Sequence, residues 1–266
     1  MTMVLGACGK TGPGMEAPPE ARPTIVSLNP CADAILAEVS EPGQLLAISH
    51  YSHDPRSTSM DLKAARAIPA TGGTVEEVLA LDPDLVVAST FLPPATRASF
   101  AELGIEVELL GIASSVETSI AQIRQLARIA GQPARGERLV ARIDRALARA
   151  QPSAKAKPVS AVLWQPGGIV PGESALVTQI MQRTGFLSHS AQRGMEQAEF
   201  LALENLLADP PDLLLTAGAE RAQQHEALAA VPGMRTAEFA PSLLYCGGPT
   251  IIRAAQRLAI IREQGA

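Results

Sequence analysis

The sequence predicts an α/β protein: two βαβ (Rossmann-like) lobes joined by a long α-helix, with a ligand cleft between the lobes. Three observations carry that prediction. A nine-residue pattern occurs twice, Glu76-Glu77-Val78-Leu79-Ala80-Leu81-Asp82-Pro83-Asp84 and Glu204-Asn205-Leu206-Leu207-Ala208-Asp209-Pro210-Pro211-Asp212, with the second copy 204 − 76 = 128 positions after the first. Each copy reads as a short amphipathic helix that opens on a glutamate, is stopped by proline and passes through an aspartate into an apolar strand. Repeated supersecondary units of this kind imply two lobes of similar build. Strand and helix signals also alternate on either side of the middle of the chain, the mark of parallel sheets with helical crossovers. Between Ser114 and Ala150 the alternation stops and no strand fits.

The elements follow in chain order. Thr24–Asn29 is β-branched and apolar, and Pro30 ends it; Cys31–Val39 then has helical spacing. Leu45–Ser49 is a second strand, followed by the polar loop His50-Tyr51-Ser52-His53-Asp54-Pro55. Leu85–Ser89 and Ile105–Leu110 are further strands, separated by a helix that Pro93 and Pro94 begin. Ile120, Ile123, Leu126, Ala127 and Ala130 recur at helical spacing up to a break at Gly131-Gln132-Pro133. A second helix then carries Leu139, Val140, Ile143 and Leu147 on one face. After the Pro/Ala/Lys stretch 151–158, strands are expected at Val159–Trp164, Leu213–Thr216 and Leu243–Cys246, with helices at Glu173–Thr184 and Pro249–Arg262. The division that results is 1–23 as a leader or tether, 24–114 as the first lobe, 115–157 as linking helices and 158–266 as the second lobe.

Composition narrows the function classes. A chain of 266 residues holds one large or two medium domains, each able to bury a real core. A net charge of −5 gives no basic face for a nucleic acid. No uninterrupted run of 18 apolar residues proposes a membrane span. Catalysis has no support: there is no Gly-x-Ser-x-Gly elbow and no Gly-x-Gly-x-x-Gly loop after a strand. An enzyme on the same fold stays the reading from a different class. The four histidines, His50, His53, His189 and His225, form no rich cluster, so no resident metal is expected.

Leu5-Gly6-Ala7-Cys8 resembles the lipobox at which bacterial lipoproteins are cleaved and lipidated, here on Cys8. Gly9–Pro23 has the Gly, Pro and polar content of a tether. Gly9-Lys10-Thr11 looks like the end of a P-loop, but Val4 stands where that motif needs glycine. With Cys8 set aside, Cys31 and Cys246 either pair in an oxidising compartment or sit as two small buried thiols.

Taken together, the first strand Ile25-Val26-Ser27-Leu28-Asn29-Pro30, Glu76 with Leu81-Asp82-Pro83-Asp84, the helical link, and Glu204 with its matching segment resemble a known family. It is the helix-linked class of periplasmic substrate-binding proteins that serve ABC importers for cobalamin, iron-siderophores and haem. The resemblance spans nearly everything from Arg22 to Arg262. It implies a monomeric periplasmic protein, lipid-anchored where the lipobox is used, that carries a small-molecule ligand and no cofactor. In that class the first glutamate of each repeated helix docks on arginines of the permease dimer, and by position these are Glu76 and Glu204. A two-fold permease suits a partner with two matched charges, which serve orientation and encounter rate more than affinity.

In such a fold the ligand lies on loops leaving the carboxyl ends of the strands. The candidates are Asn29 and Pro30, His50 and Tyr51, Gly72 and Gly73, Phe91, Trp164 and Gly248. The paired glycines are expected to expose amides to the ligand. Tyr51 lies in a loop like that of the cobalamin-binding members, and Trp164 and Phe91 are expected to be further walls for a flat corrinoid. A ferric siderophore would instead recruit Arg56, Arg97, Arg193 or Arg253. Haem is the remaining alternative.

Overall fold

The structure, a computed structural model, describes residues 22–264. Cys8 and the lipobox, the Gly9-Lys10-Thr11 run and most of the tether lie outside the described residues.

The first lobe is built as β1 (Ile25–Ser27), α1 (Pro30–Val39), β2 (Leu45–Ser49), α2 (Leu62–Arg66), β3 (Ala70–Thr71), α3 (Val75–Leu79), β4 (Leu85–Ser89), α4 (Pro94–Glu102) and β5 (Glu106–Leu110). Its strands form one parallel sheet in the order β3-β2-β1-β4-β5. The central strands β1 and β4 are nearly all buried, as their continuous apolar runs require when helices cover both faces. Two linking helices follow, α5 (Val116–Ile129) and α6 (Pro133–Ala150). Ser115 caps α5 through a bond from the Thr118 amide, and Pro133 sits in the first turn of α6, where a missing N–H costs nothing.

The second lobe runs β6 (Val159–Trp164), β7 (Ile169–Pro171), α7 (Leu176–Arg183), β8 (Phe186–Ser188), α8 (His189–Gln192), β9 (Ala198–Phe200), α9 (Leu203–Ala208), β10 (Leu213–Thr216), α10 (Glu226–Ala229), β11 (Arg235–Glu238) and α11 (Thr250–Glu263). Its parallel sheet has the order β11-β10-β6-β8, and β7 and β9 form a separate antiparallel ribbon. The order β8-β6-β10-β11 repeats β2-β1-β4-β5 of the first lobe. The sequence repeat falls on equivalent elements, α3 leading into β4 and α9 leading into β10. Its closing aspartate does the same work twice. Asp84 Oδ2 accepts the amide and hydroxyl of Thr24, at 2.7 and 2.8 Å, which ties β4 to the start of β1. Asp212 Oδ2 accepts the Ser160 amide at 3.0 Å, which ties β10 to the start of β6.

The main apolar core does not stop at the lobe boundary. One contiguous cluster takes in Ile35 and Leu36 of α1, Ile123 and Leu126 of α5, Leu139 and Ile143 of α6, Leu163 of β6, and Ile251 and Leu258 of α11. Polar links reinforce it. Gln179 of α7 accepts the Val116 amide at 2.6 Å and donates to Glu117 at 3.0 Å, and Arg183 pairs with the same carboxylate. The Gly248 amide donates to Ser119 Oγ at 2.7 Å.

Two expected elements are corrected. Leu243–Cys246 is not a strand: a 3-10 turn covers Pro241–Leu243, and the apolar residues after it are buried at the lobe junction. The fourth strand of that sheet is β11, an edge strand whose alternating half-buried and exposed residues give no apolar run to read. The helix expected from Glu173 starts only at Leu176, because Gly172, Glu173 and Ser174 bond back to the 195–197 segment.

Gly248 tests how tightly the junction is packed. Its φ is +62°, and a Cβ there would lie 2.6 Å from Ile35 Cγ1 on the opposite lobe. Gly248→Ala is therefore expected to destabilise by about 1–3 kcal/mol through overpacking and a left-handed backbone, read as a lowered denaturation midpoint with unchanged secondary-structure content.

Candidate functional site: the cleft at the strand ends

The carboxyl ends of both sheets face one cleft, and the first turn of α1 organises its floor. Asn29 caps that helix, its Oδ1 accepting the Cys31 amide at 2.9 Å and the Ala32 amide at 3.4 Å. Cys31, on the first turn, forms a disulfide with Cys246 of the second lobe, 215 residues away. That decides between the bonded pair and the two free thiols. Asp33, one turn in, is fully buried and holds the loop after β2: its Oδ2 accepts the Ser49 amide at 3.0 Å and the Ser52 hydroxyl at 2.6 Å. Burial pushes the Asp33 carboxyl up to about 7, against the opposing pull of the bonds from Ser52 and Ser49. Among the described residues its Oδ1 has no hydrogen-bond partner.

Tyr51 projects from the loop that Asp33 anchors, 53% exposed, with its ring centroid 4.1 Å from that of His50. The eight aromatics divide into two sets. Phe100, Trp164, Phe186 and Phe239 are at most 2% exposed, whereas Tyr51, Phe91, Phe200 and Tyr245 range from 53% to 74%. The exposed set stands at the strand ends or beside them. Phe91 follows β4, held by a bond from its amide to Ser89 Oγ at 3.0 Å. Phe200 lies over Gly168, where a Cβ would meet its ring at 2.7 Å. Tyr245 precedes the disulfide cysteine, its hydroxyl 3.4 Å from Gln165 Oε1.

A groove of about 440 Å³ opens between the loops after β5 and β6, with Ile112, Ser114, Gln165, Ser174, Gln197 and Tyr245 among its walls. None of its lining residues is charged. Two more grooves carry charge: one of about 280 Å³ between α1, the 59–64 segment and the start of α11, with Glu38, Asp61, Arg142 and Arg253 in its walls, and one of about 580 Å³ where α6 meets α11, with Arg142, Arg145 and Arg149. Nothing but uncharged amide, hydroxyl, aromatic and aliphatic groups faces the cleft groove. The surface suits a largely apolar guest with neutral hydrogen-bonding substituents.

A family model described as a periplasmic binding protein matches residues 25–240, most of the chain. The chain belongs to the periplasmic binding protein family. It is a binding protein of the ABC-importer type, a carrier rather than an enzyme, and what it holds is cargo and not a cofactor. Among solved structures it resembles the periplasmic haem-binding protein RhuT from Roseiflexus sp. RS-1, at 22% identity over 90% of this chain and 97% of that one, with a TM-score of 0.71. The haem-binding protein HutB of Vibrio cholerae follows at 18% identity, 90% and 98% coverage and a TM-score of 0.73. The vitamin B12 binding protein BtuF of Vibrio cholerae stands at 18% identity, 91% and 98% coverage and 0.68. At these identities the likeness concerns the fold. No curated protein matches the sequence.

Several residues expected in this binding protein's cleft sit elsewhere. Trp164 is a core residue: it packs among Val162, Val170, Leu201 and Leu214, and its Nε1 donates to the Leu201 carbonyl at 3.0 Å. Its polar edge is thus satisfied inside the lobe, and no face is left for a ligand. Gly248 is buried against Ile35 and likewise offers no open amide. The Gly73 amide donates to Thr71 Oγ1 at 3.0 Å, and that hydroxyl donates to the Glu77 carboxylate at 3.0 Å, the main cause of its lowered pKa; a Cβ on Gly72 would meet the same carboxylate at 2.9 Å. These glycines cradle an anion of the protein's own. Asn29 is occupied as a helix cap, and Pro30, half-buried, opens α1. His50, Tyr51 and Phe91 are exposed at the strand ends where they were expected.

The arginines suited to an anionic ligand are engaged or remote. Arg56 pairs with Asp54 at 3.0 Å, Arg193 with Asp209 at 2.8 Å, and Arg253 donates to the Ser59 carbonyl; Arg97 is exposed on α4. His53 bonds the Ala65 and Ile68 carbonyls at 3.0 Å, and His225 Nδ1 accepts the Ala227 amide. Sequence reasoning passed over Phe200 and marked Tyr245 only as one of two tyrosines that stand out as possible contacts, without placing it in the cleft. A signal existed for Tyr245: in a chain with 3% aromatics it lies beside Cys246, a residue already of interest.

Asp33 makes a pH test. Its folded pKa is raised from 3.8 to about 7, so the native state holds a proton that the unfolded chain releases. Its contribution is therefore fully present below about pH 4 and is lost as pH rises toward 7. The melting temperature of Asp33→Asn minus that of the parent should accordingly increase between pH 4 and pH 7 and level off above. A flat difference across that window would remove Asp33 as the titrating group.

Proposed function

We propose that the protein captures a corrinoid in the cleft between its lobes and hands it to a dimeric ABC permease. The observation that carries this reading is the uncharged groove with the exposed ring of Tyr245 in its wall. A corrinoid is a flat macrocycle fringed with neutral amides, for which Gln165, Gln197, Ser114 and Ser174 are matched donors and acceptors. Tyr51, Phe91 and Tyr245 supply apolar faces. An anionic siderophore would bring catecholate or carboxylate charge into a groove with no cation in its lining to meet it, which is costly.

Haem is the second reading. Two of the three structural relatives above carry haem in their names, and the exposed His50, Tyr51 and Tyr245 are the side chains here that could take iron. Its propionates favour the corrinoid over it, for the same reason as the siderophore.

On this reading residues 24–114 and 158–266 act as the two lobes and 115–157 as the link between them, in a monomer tethered through Cys8. Glu76 and Glu204 are the docking charges. Each is the second residue of its helix, α3 or α9, and each is exposed. Among the described residues neither side chain makes an ion pair or hydrogen bond, whereas the neighbouring Glu77 is tied to Thr71. A free carboxylate at the same offset in each lobe is what a two-fold partner can grip.

A thermal-shift panel with cyanocobalamin, cobinamide, haemin and ferric hydroxamates decides the ligand. A ligand that binds only the folded form raises the melting temperature, by about 2.7 kcal/mol of stabilisation at 100 times its Kd. The two corrinoids are expected to shift it most; a shift with haemin alone would replace the corrinoid by haem. Tyr51→Ala should weaken corrinoid affinity roughly three- to tenfold, the worth of one aromatic wall, as measured by calorimetry.

Docking is tested separately. Glu76→Ala with Glu204→Ala should leave ligand affinity unchanged and reduce uptake in a reconstituted transport assay. Normal uptake by the double variant would withdraw both residues from the interface.

A further inference from the structure

We infer that the Cys31–Cys246 disulfide positions Tyr245 as a preset wall of the cleft, so that ligand affinity depends on the bond through that one side chain. The inference rests on the cleft reading and deepens it, since it names a specificity-determining ring and what holds it.

The segment that carries Tyr245 has no sheet to belong to. β11 ends at Glu238, a 3-10 turn takes up Pro241–Leu243, and α11 begins only at Thr250. Between them the chain is fixed by side attachments. Leu244 is buried in the shared core, the Gly248 amide donates to Ser119 Oγ, and Cys246 is bonded to Cys31 on the first turn of α1. The covalent attachment is one residue from Tyr245. The Tyr245 carbonyl lies 3.7 Å from Cys31 Sγ, so backbone and cystine are in contact. The ring itself is held by little: it is 59% exposed, and its one polar contact is the 3.4 Å approach to Gln165.

Tyr245 thus belongs by sequence to the second lobe and is bolted to the first. Its ring lines the groove across from Ile112 of the first lobe and beside Gln165 of the second. A ring on an untied loop would lose conformational freedom when a guest arrives; one pinned beforehand has lost it already. Preorganisation of this kind raises affinity by lowering the ordering cost. A ligand with a flat face is the class that gains from it.

The test uses four full-length proteins: the parent, Tyr245→Ala, Cys31→Ser with Cys246→Ser, and the triple variant. Hydrogen exchange without ligand comes first. Removing the disulfide is expected to speed exchange in 243–248 while the amides of β6 and β10 keep their protection; protection of 243–248 unchanged would overturn the clamp. Mild reduction of the folded parent by a phosphine gives a second route to the same comparison, should the serine variants fold poorly.

Affinity is then measured by calorimetry with cyanocobalamin and by absorbance titration with haemin. Tyr245→Ala and the serine pair are each expected to weaken the bound probe about tenfold, and the triple variant no further than either. Additive losses would show that the cystine acts apart from Tyr245 and would overturn the inference. So would a Tyr245→Ala protein that binds as the parent does. If the parent binds neither probe, the corrinoid and haem readings fall, and the exchange result alone decides whether the disulfide pins the loop.

Discussion

A single apolar core that runs through both lobes is the constraint on which the rest of this molecule depends. Helices α1, α5, α6 and α11 contribute to it together, and side chains from both sheets close it. Pulling the lobes apart would expose that surface to water at about 25 cal/mol per Å². The bonds from Gln179, Arg183 and Ser119, and the disulfide, would have to break or stretch as well. Wide hinge opening is therefore closed to this fold, and ligand entry has to be accommodated by small lobe displacements and by the loops at the strand ends.

Those loops are held from beneath by one helical turn. Asn29 caps it, Cys31 fastens the second lobe's loop, and Asp33 holds the turn that carries Tyr51. Residues that look like ligand contacts in the sequence are here the scaffold for ligand contacts. The same holds for the glycine pairs, whose open backbone serves Glu77, Phe200 and Ile35 rather than a guest. What remains free to meet a ligand is the exposed aromatic set and the uncharged amides of the groove.

The architecture was legible in the sequence because it rests on periodic burial. The repeat at Glu76 and Glu204 lands on α3–β4 and α9–β10, which occupy equivalent places in the two sheets. Strands buried on both faces, such as Leu85–Ser89 and Leu213–Thr216, announce themselves as apolar runs. The errors fall where burial and secondary structure part company. Leu244 and Cys246 are apolar because they are buried at the lobe junction, and β11 is polar because it is an edge. The candidate site was less legible. Whether an aromatic faces the cleft or the core turns on which side of a strand end it leaves, and Trp164, last residue of β6, goes inward. A cystine that joins positions 215 apart leaves no local trace at all.

The groove has no charged wall, while the two free glutamates stand outside it on α3 and α9. On the docking and binding roles proposed for them, ionic strength should therefore separate loading from delivery. Mobile ions screen exposed carboxylates within about 10 Å at 0.1 M and have nothing to screen among neutral amides and rings. In salty surroundings the carrier would keep its grip on its passenger and lose speed only at the gate.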